Sequence, residues 1–220
     1  MIPFIRYWAG RICCAAVAVA CVLVGSTFVG VEAASNKVGG TCSKSAVGTV
    51  STDAKGQPLV CAKVSTAKYR WALPALGSFL RPIPLGQSAE AGPAAHRFRV
   101  KVVQVNFDAA AEIAAEDQYA TPPTAGFQDV RVWVEASFLG PAASGETSHY
   151  WYAKTGDGET YAASQGCSGG LGGNFDVTAV VPIGGIVKGV HCFELPAAGV
   201  SSLRLRVEGS DRPDTYFSLR

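Results

Sequence analysis

The residues whose types could support catalysis or metal binding are a glycine-flanked serine and three histidines. Ser168 lies within residues 166–170, Gly-Cys-Ser-Gly-Gly, which satisfy the G-x-S-x-G pattern of a serine nucleophile. That pattern needs a strand before the serine and a helix after it, whereas residues 171–181 have no helical period. No histidine stands in a recognisable triad motif with Ser168. We therefore predict a glycine-rich loop here, and a hydrolase using Ser168 is the least favoured function.

Metal and cofactor sites are not predicted. His96, His149 and His191 are far apart and lack the short spacings of a ligand pair. Carboxylates Asp108, Glu112, Glu116 and Asp117 fit no EF-hand loop. Residues 108–117 are alanine-rich with carboxylates at i, i+4 spacing, which indicates either a short helix or a mobile loop with a solvated acidic face.

Aromatic side chains offer the best candidate for a binding surface. Three of them are consecutive, so at least one must point away from the core of a regular strand. A fourth lies on the polar register of another strand. Exposed aromatic rings can stack on sugars or anchor a protein partner. The candidate surface consists of Trp133, Tyr150, Trp151 and Tyr152; the alternative is that a linker or the N-terminal module covers them.

Strand patterns must position these residues. Apolar and polar residues alternate over residues 98–102 and 129–138, which is typical of half-buried strands. Gly156-Asp157-Gly158 separates two strand-like runs and predicts a hairpin. Further strands are expected at 175–181, 186–195, 203–207 and 215–219. About eight short strands with turn residues between them predict an all-β fold, an antiparallel sandwich.

Composition divides the chain into four parts. Residues 1–34 form an export segment, and residues 35–73 a small cysteine-stapled β-hairpin module. Residues 74–97, rich in proline, glycine and alanine, are predicted to be a linker. Residues 98–220 form the main domain.

Four cysteines lie outside the export segment, and two sequence-local pairs are favoured among the three possible pairings. These are Cys42–Cys61 and Cys167–Cys192. Each disulfide would close a loop of about 20 to 25 residues and contribute about 3 kcal/mol. Such bonds form in oxidising compartments.

The N-terminus carries an export signal. Arg6 and Arg11 precede an uncharged run over residues 12–31, and Val31-Glu32-Ala33 resembles a signal-peptidase site with cleavage before Ala34. The run is also long enough to span a bilayer, so retention as an anchor is the alternative. The protein is therefore expected to be secreted or held in the cell envelope by this single segment.

Composition excludes other classes. With 48% apolar and 16% charged residues among 220, the chain is neither disordered nor fibrous. A net charge of +2 indicates no basic surface for nucleic acid.

The stretch from Val181 to Pro196 combines a Pro/Gly turn with a strand ending in Phe193-Glu194-Leu195-Pro196. Together with residues 126–132 and 157–161, it resembles a family of secreted immunoglobulin-like β-sandwich proteins. That family includes the mycobacterial immunoprotective extracellular antigen and many actinobacterial lipoproteins. The resemblance covers about residues 97–210 and implies an immunoglobulin-like fold and an exported location, without a common activity.

The predicted function is a non-catalytic binding or interaction module outside the cytosol. Its partner would be a protein or a cell-wall glycan, and no enzyme activity is expected. The alternative is a purely structural component of the envelope.

Overall fold

A computed structural model describes residues 36–146, 151–163, 175 and 179–220. The export segment, His149, Tyr150, Cys167 and Ser168 lie outside these residues. The described residues include two 3₁₀ helices, Lys44–Ala46 and Ala197–Ser202, and one α-helix, α1 (Ala110–Glu116). The strands are β1 (Val50–Thr52), β2 (Pro58–Ser65), β3 (Lys68–Ala72), β4 (Ser88–Ala91), β5 (His96–Asn106), β6 (Phe127–Pro141), β7 (Ser144–Glu146), β8 (Trp151–Lys154), β9 (Thr160–Ala162), β10 (Val180–Pro182), β11 (Ile186–Pro196), β12 (Arg204–Val207) and β13 (Thr215–Ser218).

Two four-stranded antiparallel sheets build the sandwich. The first, called sheet I, has the order β11-β6-β5-β4, and the second, called sheet II, has the order β13-β12-β8-β9. The chain leaves sheet I after β6, enters sheet II at β8 and β9, returns to sheet I at β11, and ends in sheet II. Because β6 pairs with β11 and β8 pairs with β12 across these crossings, the connectivity is immunoglobulin-like. The predicted all-β sandwich is confirmed.

Alternation along the strands creates the core. In β6 every second residue from Val130 to Phe138 is buried, and the same holds for Leu205 and Val207 of β12. These side chains of both sheets belong to one apolar cluster, which also includes Phe193 and Phe217. Residues between them point outward, as the period of two in a strand requires. Each sheet therefore has one core face and one outer face.

The first three strands form a separate small sheet of order β1-β2-β3. The disulfide Cys42–Cys61 lies beneath it, and Cys61 and Leu59 are fully buried there. None of residues 36–72 belongs to the apolar cluster of the sandwich. The predicted disulfide is confirmed, and it supports an oxidising environment for the protein.

Residues 74–97 differ from the predicted linker. Ile83 is buried in the sandwich core and forms a parallel bridge to Phe217 of β13. The backbone N–H of Ile83 donates to the carbonyl of Tyr216, and Ser218 donates to the carbonyl of Ile83. Farther along, β4 pairs with β5 at the edge of sheet I. This segment thus covers one edge of each sheet, and its prolines suit it because edge strands tolerate missing N–H donors.

The acidic insertion is ordered as α1, the helical alternative of the sequence analysis. Ile113 is buried against Ala109 and Cys192 on the outer face of sheet I. Among the described residues, no helix has the length and apolar character needed to span a bilayer.

Candidate binding face

The structure separates the aromatic residues that the sequence grouped together. Trp151 is only 6% exposed, and its ring packs 4.9 Å from the ring of His191 inside the core. Trp133 is half-buried on the outer face of sheet I, between the core residues Val132 and Val134. Tyr152 is half-buried on the outer face of sheet II. Trp133 and Tyr152 therefore lie on opposite sides of the sandwich and cannot form one surface.

Tyr152 belongs instead to a row of side chains across sheet II that consists of aromatic rings and one guanidinium group. Arg206 of β12 pairs in register with Tyr152 on one side and with Tyr216 of β13 on the other. The Arg206 guanidinium carbon lies 5.2 Å from the centre of the Tyr152 ring, which is a cation–π distance. Phe79 extends the row, since its ring meets Tyr216 edge-on at 5.5 Å. We call these four residues the aromatic row.

Acidic side chains hold the guanidinium of the row in place. Arg206 Nε donates to Asp214 Oδ2 at 2.7 Å, and the Glu208 carboxylate lies 3.8 Å from Nη2. Burial acts to raise the pKa of Asp214, but hydrogen bonds from Gly209 N–H and from Arg206 outweigh it, so the pKa lies below its ordinary value. Burial, followed by the charge of Asp214, raises the pKa of the Tyr216 hydroxyl. The row is therefore fixed in geometry and charge at neutral pH.

The sequence allows the strand faces of some residues in this row to be predicted, but not that these residues become neighbours. The alternation in residues 203–207 indicates that Arg204 and Arg206 share one face, and the strand at 215–219 puts Tyr216 on the face opposite Phe217 and Leu219. Phe79 lies in the predicted linker, where nothing indicated a contact with β13. The pairing of β12 with both β8 and β13 is seen only in the tertiary structure.

A cleft of about 260 Å³ opens between the β8–β9 turn and the second 3₁₀ helix. The Ser202 hydroxyl in this cleft is engaged in backbone contacts: Gly156 N–H donates to Ser202 Oγ at 2.8 Å, and Ser202 Oγ donates to the Gly199 carbonyl at 3.1 Å. Thr155 Oγ1 donates to the Asp157 carboxylate, which lowers the pKa of Asp157. The described lining residues include no histidine, lysine or cysteine. These contacts hold the β8–β9 turn against the second 3₁₀ helix.

The carboxylates of α1 bind a buried arginine. Arg131 of β6 points outward from sheet I, and its side chain is 3% exposed beneath the helix. Its guanidinium contacts Glu112 at 2.9 Å and Glu116 at 2.7 Å. The hydrogen bond from Arg131 lowers the pKa of Glu116. The acidic insertion thus neutralises an arginine of the sheet, a role that the i, i+4 spacing alone did not reveal.

The described histidines are not brought together. His96 begins β5 and pairs with Pro141, near one end of β6, whereas His191 pairs with Val132, near the other. Within the described residues no group of three or more His, Cys, Asp or Glu side chains is placed to hold a metal ion. Cys192 is disulfide-bonded; because Cys42 and Cys61 pair with each other, its partner lies outside the described residues. The Cys167–Cys192 pairing stays a prediction.

Comparisons with known proteins add little. No family model matches the chain. No curated protein matches it. A solved structure, the 2.2 Å crystal structure of a conserved hypothetical protein from Bacillus anthracis, matches with 9% identity and a TM-score of 0.37. The match covers 60% of this chain and 98% of that one.

Proposed function

We propose that this protein is an exported, non-catalytic binding module that recognises a partner through the outer face of sheet II. The observation that carries the proposal is the aromatic row, in which Tyr152, Arg206 and Tyr216 align across three hydrogen-bonded strands. Aromatic and arginine side chains are the types most enriched at binding hot spots. A rigid sheet presents them with little entropy to lose on binding.

Export is supported by the N-terminal residues and by the disulfide. Arg6 and Arg11 ahead of residues 12–31 favour translocation of everything that follows. The Cys42–Cys61 bond suits an oxidising compartment. The resemblance to secreted immunoglobulin-like proteins of actinobacteria favours the same location. The proposed partner is accordingly a protein or a cell-wall glycan of the envelope.

The binding test compares two aromatic residues on opposite faces. Tyr152→Ala removes a ring of the row, while Trp133→Ala removes a half-buried ring from sheet I and serves as the matched control. Retention of the purified protein on isolated envelope from its host should fall at least about tenfold for Tyr152→Ala and stay unchanged for Trp133→Ala. Equal retention of both variants would contradict the proposal and favour a purely structural component. Protease treatment of the envelope separates the partners, because only a glycan survives it.

The export test is intact-mass spectrometry of the protein from membrane and culture-supernatant fractions. A supernatant species starting at Ala34 is expected for a cleaved signal peptide. A membrane-bound species that retains residues 12–31 would identify an anchored protein. Detection of the full-length chain only in the cytosol would refute export.

A further inference from the structure

Beside the aromatic row, sheet II carries a second row in which two basic side chains stand in register with a serine. Arg204 of β12 pairs in register with Lys154 of β8 and with Ser218 of β13. Their neighbours Leu203, Ala153 and Phe217 are in the core, so Lys154 and Arg204 point to the outer face. Arg220 comes two residues after Ser218, the register partner of Arg204, and its backbone N–H donates to Ser218 Oγ at 3.3 Å.

These three cations have no acidic partner among the described residues. Salt bridges are present for the neighbouring Arg206, with Asp214 and Glu208, but for none of Lys154, Arg204 and Arg220. The Arg204 guanidinium makes one hydrogen bond within the protein, from Nη1 to its neighbouring Leu203 carbonyl at 2.8 Å, and its buried Nε has no partner. Arg220 lies over the Phe107 ring at 4.8 Å.

The contrast between the two arginines of β12 is informative. Both are outward-facing and both are partly buried, yet among the described residues carboxylates pair with Arg206 only. Burial and then the repulsion of Arg220 lower the pKa of Arg204, whereas Asp214 outweighs burial and raises the pKa of Arg206. Partly burying Arg204 near other cations without a counter-charge costs free energy that a bound anion would recover.

We infer that Lys154, Arg204 and Arg220 form a site for a phosphate group of the bound partner. This inference rests on the proposed binding role and names the chemistry of the ligand. A phosphate monoester carries between one and two negative charges at neutral pH, which suits three uncompensated cations better than a single carboxylate does. Arginine offers paired donors that match phosphate oxygens, and lysine adds a point charge.

The distance between residues along the strands places this site next to the aromatic row. Residues two apart on a strand are about 7 Å apart on the same face, so Arg204 and Lys154 lie one such step from Arg206 and Tyr152. A sugar ring attached to the phosphate would span that distance and reach the row. A phosphorylated saccharide is therefore the ligand class that uses both rows.

The test measures binding of inorganic phosphate and of glucose 6-phosphate to the purified protein by titration calorimetry. Arg204→Gln should weaken both at least about tenfold, because it removes charge-assisted hydrogen bonds. Arg99→Gln is the matched control, since Arg99 is an exposed arginine of β5 in sheet I that has no salt bridge within the described residues. Rising sodium chloride should weaken binding to the wild type by screening. Lys154→Gln gives the same readout from the neighbouring strand if Arg204→Gln fails to fold.

Equal affinities for wild type, Arg204→Gln and Lys154→Gln, or no phosphate binding at all, would overturn the site. Loss of envelope retention in Tyr152→Ala would still uphold the binding role in that case, so the two failures are distinguishable. Tighter binding of glucose 6-phosphate than of inorganic phosphate supports a saccharide lying across both rows. Phosphoserine binding as tightly as glucose 6-phosphate would overturn the saccharide assignment.

Discussion

His191 shows how far a single polar residue can be drawn into this core. Its ring packs 4.9 Å from Trp151 and 4.6 Å from Phe175, and its Nε2 atom has no hydrogen-bond partner. Burial lowers its pKa from 6.5 to about 3, so the imidazole is neutral in the folded protein. Because protonating His191 in the folded protein is unfavourable, the free energy of unfolding must decrease at acidic pH.

We predict an acid-dependent loss of stability that His191→Phe removes. The unfolded chain takes up the proton near pH 6.5 and the folded chain only near pH 3. The contribution of His191 is therefore complete above pH 6.5 and falls by about 1.4 kcal/mol per pH unit below it, until about pH 3. Urea unfolding between pH 7 and pH 4 measures this slope. Parallel curves for wild type and His191→Phe would refute it.

The comparison with a variant is needed because other groups titrate in the same range. Burial, and then the charge of Glu194, raise the pKa of Asp129. A raised carboxyl pKa makes the folded state bind its proton earlier, which stabilises the fold as the pH falls. Only the difference between the two curves isolates His191.

At the scale of elements, α1 packs on the outer face of sheet I and neutralises the charge of Arg131. It places Glu112 and Glu116 on a guanidinium that is almost fully buried. The helix has only seven residues, too few to be stable alone. Packing of Ile113 and the contacts with Arg131 must therefore hold it on the sheet.

We predict that the double variant Glu112→Gln, Glu116→Gln lowers the free energy of unfolding by about 2 kcal/mol. Removing both carboxylates leaves a buried charge unpaired, although solvent around the half-exposed glutamates reduces the cost. The control is Glu135→Gln, which breaks the solvent-exposed pair with Lys188 and should change stability little. Urea denaturation checks both. Equal effects would show that burial of Arg131 does not matter.

The segment before β5 is a second element with a definite role. Ile83 enters the core, whereas Leu85, two residues later, is 39% exposed. We predict that Ile83→Ala lowers the free energy of unfolding by about 2 to 4 kcal/mol. Leu85→Ala should cost much less, because its side chain already contacts water. If both variants unfold at the same urea concentration, the segment is a linker after all.

Within the described part of residues 36–220, which belong to one compact unit, the sandwich and the small sheet β1-β2-β3 bury separate sets of apolar residues. The sandwich has a shared apolar cluster. The small sheet β1-β2-β3 depends on Leu59 and the Cys42–Cys61 bond, and its described hydrogen bonds stay within residues 36–72. Such a small apolar core is marginal without a covalent staple.

We predict that Cys42→Ser, Cys61→Ser unfolds the small sheet and leaves the sandwich folded. The loop closed by the bond spans 19 residues, so its loss costs about 3 kcal/mol in the chain-entropy estimate. Hydrogen exchange should show lost amide protection in β1 to β3 and unchanged protection in β6 and β11. Loss of protection in β6 as well would mean that the small sheet and the sandwich fold as one.

By itself, the sequence determined the local features of this protein. Alternation in residues 129–138 and 203–207 assigns strands and their core faces, because side chains alternate with a period of two. Cysteine spacing identified the Cys42–Cys61 pair. Helical spacing allowed α1 to be named as one of two alternatives.

Only the tertiary structure decided which strands are neighbours. Trp133 and Tyr152 face opposite directions because they belong to different sheets, and Trp151 is buried because Phe175 and His191 pack around it. Residues 74–97 have the composition of a linker, yet they lie along sheet edges. Proline is compatible with an edge strand because its missing N–H is not needed for a ladder hydrogen bond on the open side. Both rows of sheet II join residues from separate segments of the chain, so they exist only after the sheet has formed.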